Sequence, residues 1–120
     1  MDKLNLCESE YRFASIVWEN EPLGSGELVK LCNEKLGWKK STTYTVLKKL
    51  CQRGILNNES SIVTAIVKKE QVQKSESERF LEKTFSGSLP QFIASFMSGK
   101  KLSKTDADEL KKLIDSYKEE

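Results

Sequence analysis

Between residues 8 and 67 the apolar pattern changes period once, and that change narrows the fold more than any other feature. Three successive segments repeat their apolar residues every three or four positions. The first holds Tyr11, Ala14, Val17 and Trp18, with Phe13 and Ile16 broadening the face. The second holds Leu28, Val29, Leu31, Cys32 and Leu36, and the third Thr43, Val46, Leu47, Leu50 and Cys51. Such spacing gathers each set on one side of an amphipathic helix. The run Ile62-Val63-Thr64-Ala65-Ile66-Val67 then abandons the helical period for a surplus of β-branched residues. Preceded by Ile55-Leu56 and a polar turn from Asn57 to Ser61, it reads as the return strand of a hairpin. Three helices and a hairpin, in that order, predict a mainly α fold of winged helix-turn-helix type.

The punctuation agrees with this reading. Leu6 stands where a staple residue packs against the first helix, and Glu10 lies early, where a carboxylate suits the helix dipole. Cys7 at the cap position is a poor capper, so that end is expected to fray. Asn20-Glu21-Pro22 ends the first helix. Gly24 or Ser25 caps the second, and Gly37 closes it in a left-handed conformation. Ser41 and Thr42 are candidate caps for the third helix, which Gly54 stops.

From Lys69 onward the β-branched residues give way to helical pattern. One helix is expected from Glu70 to Phe85, ended by Gly87. A second runs from Gln91 to Met97 with Pro90 in its first turn. A third is capped by Ser103 with Asp106 three residues on. This divides the chain into a winged-helix DNA-binding domain over 1–69 and a helical dimerisation domain over 70–120. The second piece is too small to bury its own large apolar groups. Roughly eight such side chains, each worth about 1.5–3 kcal/mol when buried, would leave much of a domain's net stability unrealised if they stayed wet. A second copy of the chain is the expected cover, on a face formed by Phe85, Leu89, Phe92, Ile93, Phe96, Leu110, Leu113, Ile114 and Tyr117. A homodimer also matches two half-sites on DNA.

Charge distribution points to the partner. The stretch from Lys35 to Asn58 contains Lys35, Lys39, Lys40, Lys48, Lys49 and Arg53 and no carboxylate, although the chain has 18 Asp and Glu in all. An acid-free basic helix is the footprint of a surface that docks on phosphates, whereas a solvated helix face usually mixes both signs. Small hydroxyls near the start of the third helix can reach base edges, and lysines further along can neutralise phosphates.

Composition excludes other classes. There is no histidine, so the commonest general base and metal ligand are missing together. Cys7, Cys32 and Cys51 are too scattered for a zinc set and read as reduced thiols. Gly24-Ser25-Gly26 lacks the lysine and length of a phosphate loop. No enzymatic activity, metal or cofactor is expected. Nor is membrane insertion, because no apolar run has the length of a span. The N-terminal residues lack a signal-peptide pattern, so a cytoplasmic location is expected.

The order of several pieces resembles the penicillinase repressor family of bacterial transcription regulators, which includes the methicillin-resistance and copper-transport repressors. The pieces are Glu10-Tyr11 through Ile16-Val17-Trp18-Glu19, Pro22-Leu23, Glu27-Leu28-Val29, Gly37-Trp38, Thr42 with Tyr44-Thr45-Val46-Leu47, and Leu50 to Gly54. Phe80-Leu81, Phe85, Gly87-Ser88, Phe96 and Leu102-Ser103 continue it. The resemblance implies a dimeric repressor binding a palindromic, double-stranded DNA operator through its third helix. Ser41, Thr42, Tyr44 and Thr45 would face bases, with Lys39, Lys40, Lys48, Lys49 and Arg53 near phosphates. It further implies a membrane sensor pathway that inactivates some members by cleavage in the arm; the matching bond is Ser95–Phe96, where relatives usually carry asparagine before the phenylalanine. The copper-type C-x-C pair is missing, and the wing turn holds Glu59 but no lysine or arginine. The competing expectation is a winged-helix protein–protein adaptor that does not read DNA, since fold alone does not fix function.

Overall fold

A computed structural model describes residues 4–119; Met1 to Lys3, on which part of the N-terminal reading rests, and Glu120 lie outside the described residues. The chain forms two compact units, Met1–Phe80 and Leu81–Glu120.

The first unit begins with α1 (Glu8–Asn20), β1 (Leu23–Gly24), α2 (Ser25–Leu36) and α3 (Lys40–Gln52), followed by β2 (Leu56–Glu59), β3 (Ile62–Ala65) and α4 (Lys69–Phe85), which runs past the division between units. The three strands form one antiparallel sheet in the order β1-β3-β2. Leu23 and Asn58 flank Val63 from opposite sides. The winged helix-turn-helix architecture is therefore present, with a helical arm after it.

The core repeats the helical spacing seen in the sequence. Phe13, Ala14, Ile16 and Val17 of α1 pack with Leu28 and Cys32 of α2 and Leu47 and Leu50 of α3. Ile55, Leu56 and Val63 supply the sheet side, and Val72 of α4 closes the cluster. Removing this apolar surface from water is the main stabilising term. Directional ties fix the packing. Phe13 and Trp38 stack with centroids 5.5 Å apart. The Trp18 indole donates to the Val67 carbonyl at 3.0 Å, and Glu21 Oε1 accepts the Ala65 amide at 2.9 Å, joining the end of α1 to β3 and the segment that follows it.

Four expectations need correction. The α1 end is closed rather than frayed, because Glu10 Oε1 accepts the Cys7 amide at 3.0 Å and satisfies a donor that the thiol leaves open. Helix α3 starts at Lys40 with Lys39 as its cap residue, so Ser41 and Thr42 lie inside the first turn and cap nothing. The wing is tighter than expected: Asn57, Asn58 and Glu59 belong to β2, and the turn is Ser60-Ser61, at φ of 52° and 62°. Finally, β1 has no counterpart among the expected elements; its two residues pair with β3 only because the fold brings them there.

The second unit contains the end of α4, then α5 (Leu89–Met97) and α6 (Lys104–Tyr117). Gly87 takes a φ of 82° at the end of α4. Helix α5 starts earlier than expected, capped by Ser88, whose hydroxyl accepts the Gln91 amide at 3.2 Å. Ser103 does cap α6, accepting the Asp106 amide at 3.1 Å.

Candidate nucleic-acid interface

Helix α3 divides cleanly into two faces. Thr43, Leu47 and Leu50 are buried, and Val46 and Cys51 are half-buried. Thr43 Oγ1 turns back onto the Lys39 carbonyl at 3.3 Å, and its hydroxyl also approaches the Cys32 thiol of α2. Burial pushes the Cys32 thiol up, more than that contact pulls it down. Both cysteines that the sequence puts among apolar neighbours are free thiols, Cys32 buried and Cys51 half-buried.

The opposite face carries Lys39, Lys40, Ser41, Thr42, Thr45 and Lys48, all exposed. Among the described residues, none of these three lysines forms an ion pair with a carboxylate. Ser41, Thr45 and Lys48 follow one another at helical spacing, so a hydroxyl, a hydroxyl with a methyl, and an ammonium line a single stripe. Thr45 Oγ1 donates to the Ser41 carbonyl at 2.9 Å, which orients its side chain and leaves its acceptor capacity open.

Three expected members of this face stand differently. Tyr44 is only partly exposed, and its hydroxyl donates to Ser25 Oγ on α2 at 3.3 Å. Lys49 and Arg53 share one carboxylate within the fold. Glu10 of α1 is 6% exposed. Its Oε2 lies 2.9 Å from Lys49 Nζ and its Oε1 lies 3.2 Å from Arg53 Nη1. Arg53 Nη2 also donates to the Asn5 carbonyl at 2.6 Å. Burial raises the Glu10 carboxyl, but hydrogen bonds from the Lys49 ammonium and the Cys7 amide outweigh it and hold its pKa at about 2. Lys49 and Arg53, expected near phosphates, thus also hold a buried carboxylate of the protein itself. Glu10 has no local sequence signal for this role, since its Arg53 partner is 43 residues away.

Between α3 and β2 lies a shallow groove of about 330 Å³, lined by Tyr44, Leu47, Lys48, Cys51 and Asn58. The hairpin brings no lysine or arginine to it.

In the second unit the expected dimer face is largely uncovered in the single chain. Leu89, Ile93, Phe96, Leu110, Leu113 and Ile114 are exposed, and Tyr117 reaches 82%. Phe85 and Phe92 are half-buried against each other, edge to face at 5.5 Å, with Phe96 tilted onto Phe92 at 5.9 Å. Lys100 Nζ sits 4.0 Å from the centre of the Phe96 ring. Ser95 and Phe96 are exposed on α5. Among the described residues no helix is long and apolar enough to cross a membrane.

The chain is similar in sequence to known proteins over nearly its whole length. The family profile described as penicillinase repressor matches residues 6–116. The penicillinase repressor of Bacillus licheniformis is 20% identical over 117 residues, covering 94% of this chain and 91% of that protein. An uncharacterized 16.5 kDa protein in the ptsI 3′ region of Latilactobacillus sakei is 26% identical over 113 residues, covering 91% of this chain and 77% of that protein.

Proposed function

The chain belongs to the penicillinase repressor family, and on that premise we propose that it is a cytoplasmic homodimer that blocks transcription by binding a palindromic DNA operator. Transcriptional repression and DNA binding follow from family membership; the dimer, the operator symmetry and the residues in contact are our reading. Supporting it most is the exposed, carboxylate-free stripe of α3. Ser41, Thr42 and Thr45 meet base edges in the major groove, while Lys39, Lys40 and Lys48 neutralise phosphates on either side. Tyr44 braces α3 against α2 through its bond to Ser25.

The uncovered apolar face of α5 and α6 supports the dimer, because a lone chain would leave that surface in water. Two protomers would set two copies of α3 on half-sites related by the same twofold axis. Inactivation belongs to the arm: a sensor protease pathway acting at the exposed Ser95–Phe96 bond would need local unwinding of α5 to reach it.

An electrophoretic shift with operator-containing and random duplexes tests the reading. Binding to both at low salt, with operator preferred as salt rises, is expected. A protein that shifts neither at micromolar concentration is instead an adaptor on the same fold.

A further inference from the structure

The charge cluster of Glu10, Lys49 and Arg53 joins α1 to α3 at the edge of the proposed DNA face. Of its two cations, Arg53 is the more enclosed, with a side chain 24% exposed and a second bond to the Asn5 carbonyl. Lys49 differs: its side chain is 61% exposed, so its ammonium stands between a buried carboxylate and the solvent where a phosphate would lie. A carboxylate that neutralises part of a phosphate-binding face weakens binding to all sequences alike, because the phosphate term carries no sequence information. The hydroxyls that read bases are left untouched. The ratio of specific to non-specific affinity is therefore unchanged, while the sequence-independent part of the affinity falls.

We propose that Glu10 is an affinity-setting residue, which withholds Lys49 from the phosphate backbone and thereby limits sequence-independent DNA binding. The inference rests on the proposed placement of α3 on DNA. It assigns Glu10 a role beyond holding α1 to α3, since a structural strut need not lower the number of phosphates neutralised. One phosphate more or fewer neutralised by each protomer changes the log–log salt slope by about 0.9, hence by about 2 for a dimer.

The test measures salt-dependent binding of the full chain to a random-sequence duplex. Four variants are compared: Lys48→Ala, Lys49→Ala, Glu10→Gln and Glu10→Gln with Lys49→Ala. Lys48→Ala is expected to flatten the slope by about 2, whereas Lys49→Ala in the native background changes it by less than about half a unit. Glu10→Gln is expected to steepen it by about 2 and to tighten binding to operator and random DNA by the same factor, and adding Lys49→Ala returns the slope to the native value. If Lys49→Ala flattens the slope as much as Lys48→Ala does, Lys49 already binds phosphate and the inference is overturned. That comparison decides the matter even where Glu10→Gln fails to fold. A native slope in Lys48→Ala defeats the placement of α3 itself, and the role of Glu10 with it.

Discussion

Tyr44 on α3 donates its phenol to Ser25 Oγ on α2 at 3.3 Å, so a residue in the middle of the helix proposed to face DNA gives its polar group to the protein itself. Ser25 is buried, and its hydroxyl would otherwise lack that donor. Tyr44→Phe should therefore cost about 1 kcal/mol of stability and leave operator preference unchanged. Urea denaturation and competition between operator variants check the two halves. A changed preference with native stability would mean that the hydroxyl reads DNA.

On the proposed placement of α3, Thr45 and Lys48 separate base reading from phosphate binding. Thr45→Ala removes a hydroxyl and a methyl from the stripe, and should relax preference at one base pair per half-site by about 1–3 kcal/mol. Binding to random DNA should stay as it was. Selection from a randomised operator library measures this directly.

Lowering the pH tests the Glu10 cluster through stability. The folded-state pKa of about 2 lies below the ordinary 4.5, so the ionised carboxylate favours the folded state. Its contribution, on the order of 3 kcal/mol, is fully present above about pH 4.5 and fades as the pH falls toward 2. Glu10→Gln should be less stable at neutral pH and should show a flatter acid limb over that window. Chemical denaturation at a series of pH values provides the comparison.

The second unit gives an oligomer prediction. Leu110→Asp with Ile114→Asp would place charge on the exposed apolar face of α6. Sedimentation should change from dimer to monomer, while far-ultraviolet circular dichroism keeps the helical content of the first unit. Operator affinity should fall by at least about 10²-fold, because the two half-sites are then bound independently. A variant that remains dimeric would place the interface elsewhere.

The wing carries a correctable strain. Ser60 and Ser61 both adopt left-handed conformations, at φ of 52° and 62°, which suit asparagine and glycine better. Replacing the pair by Asn-Gly should stabilise the protein by about 1 kcal/mol without altering the sheet register. Thermal denaturation would detect it.

What the sequence discloses, and what it hides, follows from the range of the interactions. The buried face of α3 is legible because Thr43, Leu47 and Leu50 repeat at the helical period. Gly37 announces its own φ of 70° because only glycine adopts that conformation freely. The two-residue β1 is not legible: Leu23-Gly24 becomes a strand only through pairing with Val63 and Ile62, some forty positions later. Ser60-Ser61 hides the turn, since serine carries no strong signal for a positive φ. The charge pattern reveals an acid-free segment, but charges counted along the chain cannot show that an acid from α1 folds back onto it. Sequence position makes Glu10 a dipole partner for its own helix; Lys49 and Arg53 are its larger commitment.

The outward stripe of α3 carries the whole functional reading, and the salt dependence of operator binding by the full-length protein tests it most directly. Three lysines per protomer predict about six phosphates neutralised by a dimer and a log–log slope near −5, flattened to about −3 by Lys48→Ala. A slope close to zero, or one that Lys48→Ala leaves unchanged, would contradict it.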